Sequence, residues 1–256
     1  MVSRRNYLTI AMMFVILLFM FQFTGVMKEQ LSEYEIALRK RAEHVPLQYI
    51  VGEAEFMGLK FKVNSNVLIP RQDTETLVEE ALRVAKPGMR VLDLCTGSGC
   101  IIISLAKNVA DISCTGSDIS KQALLVAKEN AKANEVEVEW ERSDLFENIS
   151  GTFDLIVSNP PYIPTGEIPG LMPEVRDFEP VDALDGKEDG LYFYRIITEK
   201  SPEYLTSDGY LYFEIGYDQG EAVSAMMRQC GYTQVEVIKD LAGNDRVVKG
   251  RKKEHV

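Results

Sequence analysis

Histidine is almost missing from this chain. His44 and His255 are the only two, and neither stands near any motif described below. That leaves little room for histidine acid–base catalysis or a Ser-His-Asp triad. Cysteine is sparse as well: Cys95, Cys100, Cys114 and Cys230 contain no CxxC pair. The spacing argues against a zinc site or a disulfide framework and fits buried thiols in a reducing cytosol. Positive charge is in deficit, with 28 Lys and Arg against 39 Asp and Glu and a net charge of −11. Such a surface repels phosphate backbones, so a dominant nucleic-acid partner is disfavoured. Internal repeats and low-complexity segments are also absent.

What is present is ordinary for a folded protein. The 256 residues are 46% hydrophobic and 26% charged, enough for one large domain with a full core. The exception is the start. Residues 8–23, "LTIAMMFVILLFMFQF", are almost wholly apolar, and with residues 24–27 the run reaches bilayer-spanning length. It reads either as a membrane anchor or uncleaved signal, or as an extension upstream of a start at Met27. As an anchor it would place the rest of the chain on the cytoplasmic face, by the excess of Lys28, Arg39, Lys40 and Arg41 over Arg4 and Arg5.

Beyond it, residues 52–71 alternate and predict a β-hairpin, and 74–85 a helix capped by Asp73 or Thr74. Strands are then expected over 90–94, 113–117, 136–140, 153–158, 210–214, 234–238 and 246–249. Helices are expected over 100–107, 121–133, 190–204 and 220–230. This alternation predicts an α/β fold with a mostly parallel sheet covered by helices on both faces. Ligands in such sheets bind beyond the carboxyl ends of the strands.

Three strand ends suit a nucleoside-bearing ligand. "VLDLCTGSGC" makes the first strand-to-helix turn, where Gly97 and Gly99 allow close backbone approach. Ile102 stands where a dinucleotide fingerprint wants glycine or alanine, which weakens an NAD reading. Asp118 ends the second strand and can accept from both ribose hydroxyls, or cap the next helix. Asp144 and Leu145 follow the third and can meet an amino group and the face of an adenine; a plain turn role is the alternative for Asp144.

The fourth strand ends in "NPPY", residues 159–162. Prolines lack N–H donors, so the motif offers acceptors: the Asn159 side-chain oxygen and the Pro160 carbonyl. Two rigid acceptors suit an NH₂ group, and Tyr162 adds a flat surface on which a planar group can stack. The nitrogen of an amide or amino-heterocycle is a weak nucleophile. Binding both of its hydrogens aims its lone pair at an activated methyl, by positioning and electrostatics and without a histidine base.

At these residues the chain resembles the release factor glutamine methyltransferases. The matching stretches are "PLQYIVGEAEFMGLKF", "VLIPRQDTETLVEE", "VLDLCTGSGCIIISLA", "SDISKQALLVAKENA", "VSNPPYIP", "FEPVDALDGKEDGLYFYRIITE" and "YFEIGYDQG", in order over about residues 40–250. The resemblance implies a Rossmann-like class I methyltransferase with a seven-stranded, mostly parallel sheet; the residues themselves predict the hairpin and, from the apolar run, a hydrophobic N-terminal helix ahead of it. It implies S-adenosylmethionine as cofactor and class I peptide chain release factors as partners. The acceptor would be the amide nitrogen of the glutamine in their Gly-Gly-Gln loop. Cys95, Thr96, Gly97, Ser98 and Gly99 would contact the methionine part of the cofactor, Asp118 would hold the ribose, Asp144 and Leu145 would border the adenine, and Ile119 would also belong to the cofactor site. Asn159 would border both ligands; with Pro160, Pro161 and Tyr162 it would hold the glutamine, and Asn159, Pro160 and Tyr162 would carry the catalysis. Arg71 would pack near the cofactor or form a structural salt bridge. Cys95 stands where glycine is common in the family. Family members carry a helical docking domain before "PLQYI", where this chain has residues 1–45. The expected division is an apolar segment over 1–27, a residual helix and hairpin over 28–75, and the methyltransferase domain over 76–256.

Two other readings compete. An adenine amino-methyltransferase would share "NPPY" but would want a basic surface. A membrane-tethered, non-catalytic cofactor-binding protein would have no use for an intact "NPPY".

Overall fold

The computed structural model describes residues 30–253. The apolar run over 8–27 lies outside them, as does the question of an N-terminal hydrophobic helix. Among the described residues no helix is long and apolar enough to cross a membrane.

The described chain opens with a helix over 30–42 (α1). A short turn of helix, Leu47–Val51 (α2), leads into a two-stranded hairpin, Glu53–Phe56 (β1) and Leu59–Lys62 (β2). The hairpin is shorter than the alternation suggests. Residues 63–71 leave the ladder as an irregular strap, and Val63, Val67 and Ile69 pack with Ala123 and Val126. Their alternation is real burial, but against a helix rather than a strand partner.

The remaining elements are Glu75–Leu82 (α3), Arg90–Leu94 (β3), Cys100–Asn108 (α4), Ser113–Asp118 (β4), Lys121–Ala133 (α5) and Glu139–Arg142 (β5). Then come Phe153–Ser158 (β6), Pro173–Arg176 (α6), Tyr192–Tyr204 (α7), Leu205–Glu214 (β7), Gly220–Gln229 (α8), Tyr232–Lys239 (β8) and Asp245–Lys252 (β9). Strands β3 to β9 form one seven-stranded sheet in the order β5-β4-β3-β6-β7-β9-β8. All neighbours from β5 to β7 pair parallel, and β9 runs antiparallel to both β7 and β8. The fold class expected from the sequence is the one observed.

Period-two alternation sorts the core onto two faces. Val91, Leu155 and Val157 point into a cluster with Leu77 and Val78 of α3 and Ile101 of α4. Leu92, Leu94 and Ile156 point the other way, toward Tyr194 and Ile197 of α7 and Val223 and Met227 of α8. Each such fully buried aliphatic side chain contributes roughly 1.5–3 kcal/mol.

The chain fills β3, β4 and β5 outward on one side. It then returns to place β6 on the other side of β3. The helices that follow β3 and β6 therefore depart to opposite faces and leave a crevice above the carboxyl ends of those strands. The glycine turn and "NPPY" both open there.

Candidate active site

The crevice holds a cavity of about 540 Å³, within the usual range for a small-molecule site. Its walls come from the ends of β3, β4, β5 and β6, the 63–71 strap, the residues around 180–187 and the start of α7.

At the end of β3, Cys95 takes φ 59°, Gly97 φ 54° and Gly99 φ 80°. Thr96 Oγ1 donates to Asp93 Oδ2 at 2.5 Å, and Gly97 N donates to Asp118 Oδ2 at 2.9 Å. The two glycines serve different ends. A Cβ on Gly99 would press on Ile103 and Trp140 at 2.9 and 3.1 Å, whereas one on Gly97 would enter open space on the cavity side. Gly99 is thus demanded by packing, and Gly97 leaves room for a ligand. From below, Asn130 Nδ2 donates to Ser98 O at 2.9 Å and to Lys62 O at 3.1 Å, and its Oδ1 accepts from Lys62 N. This fully buried amide ties the turn to the hairpin.

Asp118 does not cap α5. Ser120 does, accepting from Ala123 N at 3.2 Å. Asp118 instead takes Ser120 N on Oδ1 and Gly97 N on Oδ2, which leaves each oxygen a further lone pair for a ribose hydroxyl. Burial raises its pKa above the ordinary value, against the pull of those backbone donors. Ile119, Asp144 and Leu145 continue the same wall; Leu145 is held at φ 47°.

Across the cavity stands Asn159. Its Nδ2 faces Thr74 Oγ1 at 3.5 Å, so its Oδ1 is the end left for a ligand. The chain after it is clamped. Gln219 Nε2 donates to Tyr162 O at 3.0 Å and to Gly190 O at 3.3 Å, while Gln219 Oε1 accepts from Gly216 N. Residues 184–190 wrap the other side: Ile163 N donates to Leu184 O and Gly186 N to Ile163 O, at 3.0 and 2.8 Å. A Cβ on Gly186 would meet Tyr162 Cα at 2.7 Å, which explains the glycines of "DALDGKEDGL".

Of the residues singled out in the sequence, Cys95, Thr96, Gly97, Ser98, Asp118, Ile119, Asp144, Leu145, Asn159 and Pro161 line the cavity together, and Arg71 joins them. Gly99, Pro160 and Tyr162 do not line it. The Tyr162 ring packs onto the cluster beneath the sheet, and burial raises its phenol pKa. Arg71 pairs with Glu179 at 2.5 Å, joining the strap to the 177–183 stretch at the cavity wall. The sequence reading did not identify Thr74, Glu214, Gln219 and Asn130. Thr74 passed for a cap, yet it makes no capping bond and is 2% exposed.

Two carboxyls lie buried in the sheet near the site. Burial pushes both Asp93 and Glu214 up to about 7, and Asp93 Oδ1 and Glu214 Oε2 have no hydrogen-bond partner among the described residues.

These features fit S-adenosylmethionine. A glycine edge offers open space for its amino-acid part, the Asp118 carboxylate retains acceptor capacity for a ribose, and Leu145 offers an apolar surface for a base.

A methyltransferase small domain model matches residues 72–168. The chain is 46% identical over 224 residues to the release factor glutamine methyltransferase of Geobacter sulfurreducens, covering 87% of this chain and 79% of that one. It is 42% identical over 229 residues to the release factor glutamine methyltransferase of Thermodesulfovibrio yellowstonii, covering 87% and 82%. Among solved structures, a methyltransferase from Pyrococcus furiosus superposes with a TM-score of 0.59 at 18% identity, over 77% of this chain and 91% of that one; this likeness speaks to the fold.

Proposed function

The chain belongs to the release factor glutamine methyltransferases, and on that premise we propose that its cavity divides into a donor half and an acceptor half. The enzyme methylates the side-chain amide nitrogen (N5) of a glutamine, the one in the Gly-Gly-Gln loop of a class I peptide chain release factor. S-adenosylmethionine, when bound, supplies an electrophilic methyl group. The glycine turn holds its amino-acid part, Asp118 its ribose, and Asp144 with Leu145 its adenine. The methyltransferase domain is taken to begin at about residue 76, with the hairpin and α1 as the remnant that precedes it.

The observation that carries the acceptor half is the aim of Asn159. With Nδ2 turned to Thr74, its oxygen faces the cavity across from the glycine turn. Asn159 Oδ1 and the Pro160 carbonyl accept the two hydrogens of the glutamine amide. That fixes the plane of the NH₂ group and localises a lone pair that conjugation would otherwise spread. Pro160 and Pro161 bring no competing N–H. Tyr162 supports the acceptor pair through its main chain, since Gln219 Nε2 holds its carbonyl and Gly190, with no Cβ, leaves room for it. The rate gain is one of orientation and prearranged dipoles.

Radiolabelled S-adenosylmethionine offered with a purified class I release factor, and in parallel with DNA, tests the reading. Label is expected in the factor and is abolished when the Gly-Gly-Gln glutamine is replaced. Label in DNA with none in the factor would overturn it.

A further inference from the structure

We propose that Glu214 is a positioning residue for the acceptor half: its buried carboxylate stands behind the Asn159 amide, holds it with Oδ1 toward the cavity, and strengthens that oxygen as an acceptor. The inference rests on the reading of Asn159 given above.

The sheet brings the two residues together. Strands β6 and β7 are parallel neighbours, and Ser158 pairs with Phe213. The next residues along the chain are Asn159, just past β6, and Glu214, the last of β7, neighbours at the carboxyl edge. Glu214 is 1% exposed. The Thr74 hydroxyl and the Asn159 amide beside its carboxylate favour its charged form, while its Oε2 has no hydrogen-bond partner among the described residues. The Asn159 Nδ2 also approaches Thr74 Oγ1 at 3.5 Å. Thr74, Asn159 and Glu214 thus form a triangle, its Thr74 and Glu214 corners buried and Asn159 half-buried at the cavity wall, whose one anion faces the donor end of the amide.

An asparagine amide is nearly symmetric in shape, so its two orientations are separated only by hydrogen bonding. A carboxylate behind it accepts from Nδ2 and cannot tolerate Oδ1. The oxygen must then face outward, where the glutamine NH₂ needs an acceptor. The negative charge also polarises the amide, in a site where water does not dilute the effect. As the glutamine nitrogen takes up a methyl its hydrogens become more positive, and a stronger acceptor matters most at that moment.

The charged and titratable groups that face Glu214 come from every element around it. Arg246 of β9 favours its charged form, and Asp73, just before α3, opposes it. Tyr162, Tyr194 of α7 and Cys100 of α4 also feel its charge, and the Tyr194 hydroxyl donates to the Glu214 backbone carbonyl at 2.9 Å. Burial outweighs the favourable groups and pushes Glu214 up to about 7. A protonated Glu214 carries an O–H, becomes a donor toward Asn159, and no longer enforces the orientation. Acceptor aim and neutral pH are thereby linked.

The test is kcat between about pH 6 and 9 for the wild type and Glu214→Gln, with cofactor affinity measured separately by calorimetry. The wild type is expected to lose about tenfold in kcat per pH unit below a midpoint near neutrality. Glu214→Gln is expected to have a flat profile, a plateau about tenfold lower and an unchanged cofactor Kd. An acidic limb that persists in Glu214→Gln would assign the titration to another group, such as Asp93, and overturn the proposal. So would an unchanged plateau. Should that variant fail to fold, Thr74→Val must lower kcat by about tenfold with cofactor Kd unchanged, and Thr74→Ser must recover most of that loss; a wild-type kcat in Thr74→Val is equally fatal. A wild type that labels no release factor at any pH would instead sink the reading of the function, and this proposal with it.

Discussion

Replacing Gly190 by alanine perturbs the acceptor half without touching the donor half. Gly190 sits at φ 73°, and a Cβ there would overlap the Tyr162 carbonyl oxygen and stand 2.8 Å from Gln219 Nε2. The left-handed backbone costs a non-glycine residue about 1–2 kcal/mol. Overpacking adds about 1–3 kcal/mol. For a chain of this size the sum lowers Tm by about 5–15 °C. The kinetic effect is larger than the loss of stability suggests. To clear the new methyl group the Tyr162 carbonyl must retreat by about 1 Å, and a displacement of that size beside reacting atoms costs on the order of 100-fold in kcat. The glycine turn and Asp118 lie on other strands, so cofactor Kd should stay within about twofold. Gly166→Ala is the control: its Cβ meets nothing within 4 Å and its backbone is not left-handed. The assay is steady-state methyl transfer, with calorimetry for the cofactor. Wild-type kcat despite a lowered Tm would show that the path of the chain after Asn159 does not govern chemistry. An equal loss of cofactor affinity would show that the two halves are not separable.

Gly97→Ala should do the opposite. Its Cβ enters the cavity without striking protein, so cofactor affinity should fall by about tenfold or more while the free protein loses only about 1–2 kcal/mol; unchanged affinity in equilibrium dialysis would remove Gly97 from the donor half. Stability should also depend on pH with a defined sign. Asp93 and Glu214 are raised from ordinary carboxyl values to about 7 by burial. The folded state therefore holds protons that the unfolded chain releases. Their contribution to stability is complete below about pH 4 and is lost as pH rises through about 7. Tm measured by calorimetry should accordingly be higher at pH 6 than at pH 8, and a flat or rising trend would refute those burial effects.

Much of the donor half is legible in the sequence, because local chemistry specifies it. Apolar runs that end in "CTGSG", "SD" and "SDL" give strand ends. Their order in a parallel sheet puts Gly97, Asp118 and Asp144 on one edge. The acceptor half is only partly legible. Asn159 announces itself through the prolines beside it. Glu214 and Thr74 do not, because only the β6–β7 register and the packing of α3 bring them to it. Gln219 looks like an ordinary residue before a helix until its amide is seen clamping Tyr162. Errors fall where burial and pairing part company. The strap over 63–71 alternates like a strand because it packs on α5. The strand expected over 136–140 shifts to 139–142 because Val136 and Val138 pack onto the core while β4 pairs with the residues after them.

The measurement closest to the central claim is a paired one on Asn159→Ala: binding of S-adenosylmethionine by calorimetry, and transfer of labelled methyl to a class I release factor. If Asn159 is the acceptor-side residue, transfer is lost by at least about 100-fold while cofactor affinity remains largely intact. Binding and transfer that fall together would contradict the division of the cavity into a donor half and an acceptor half.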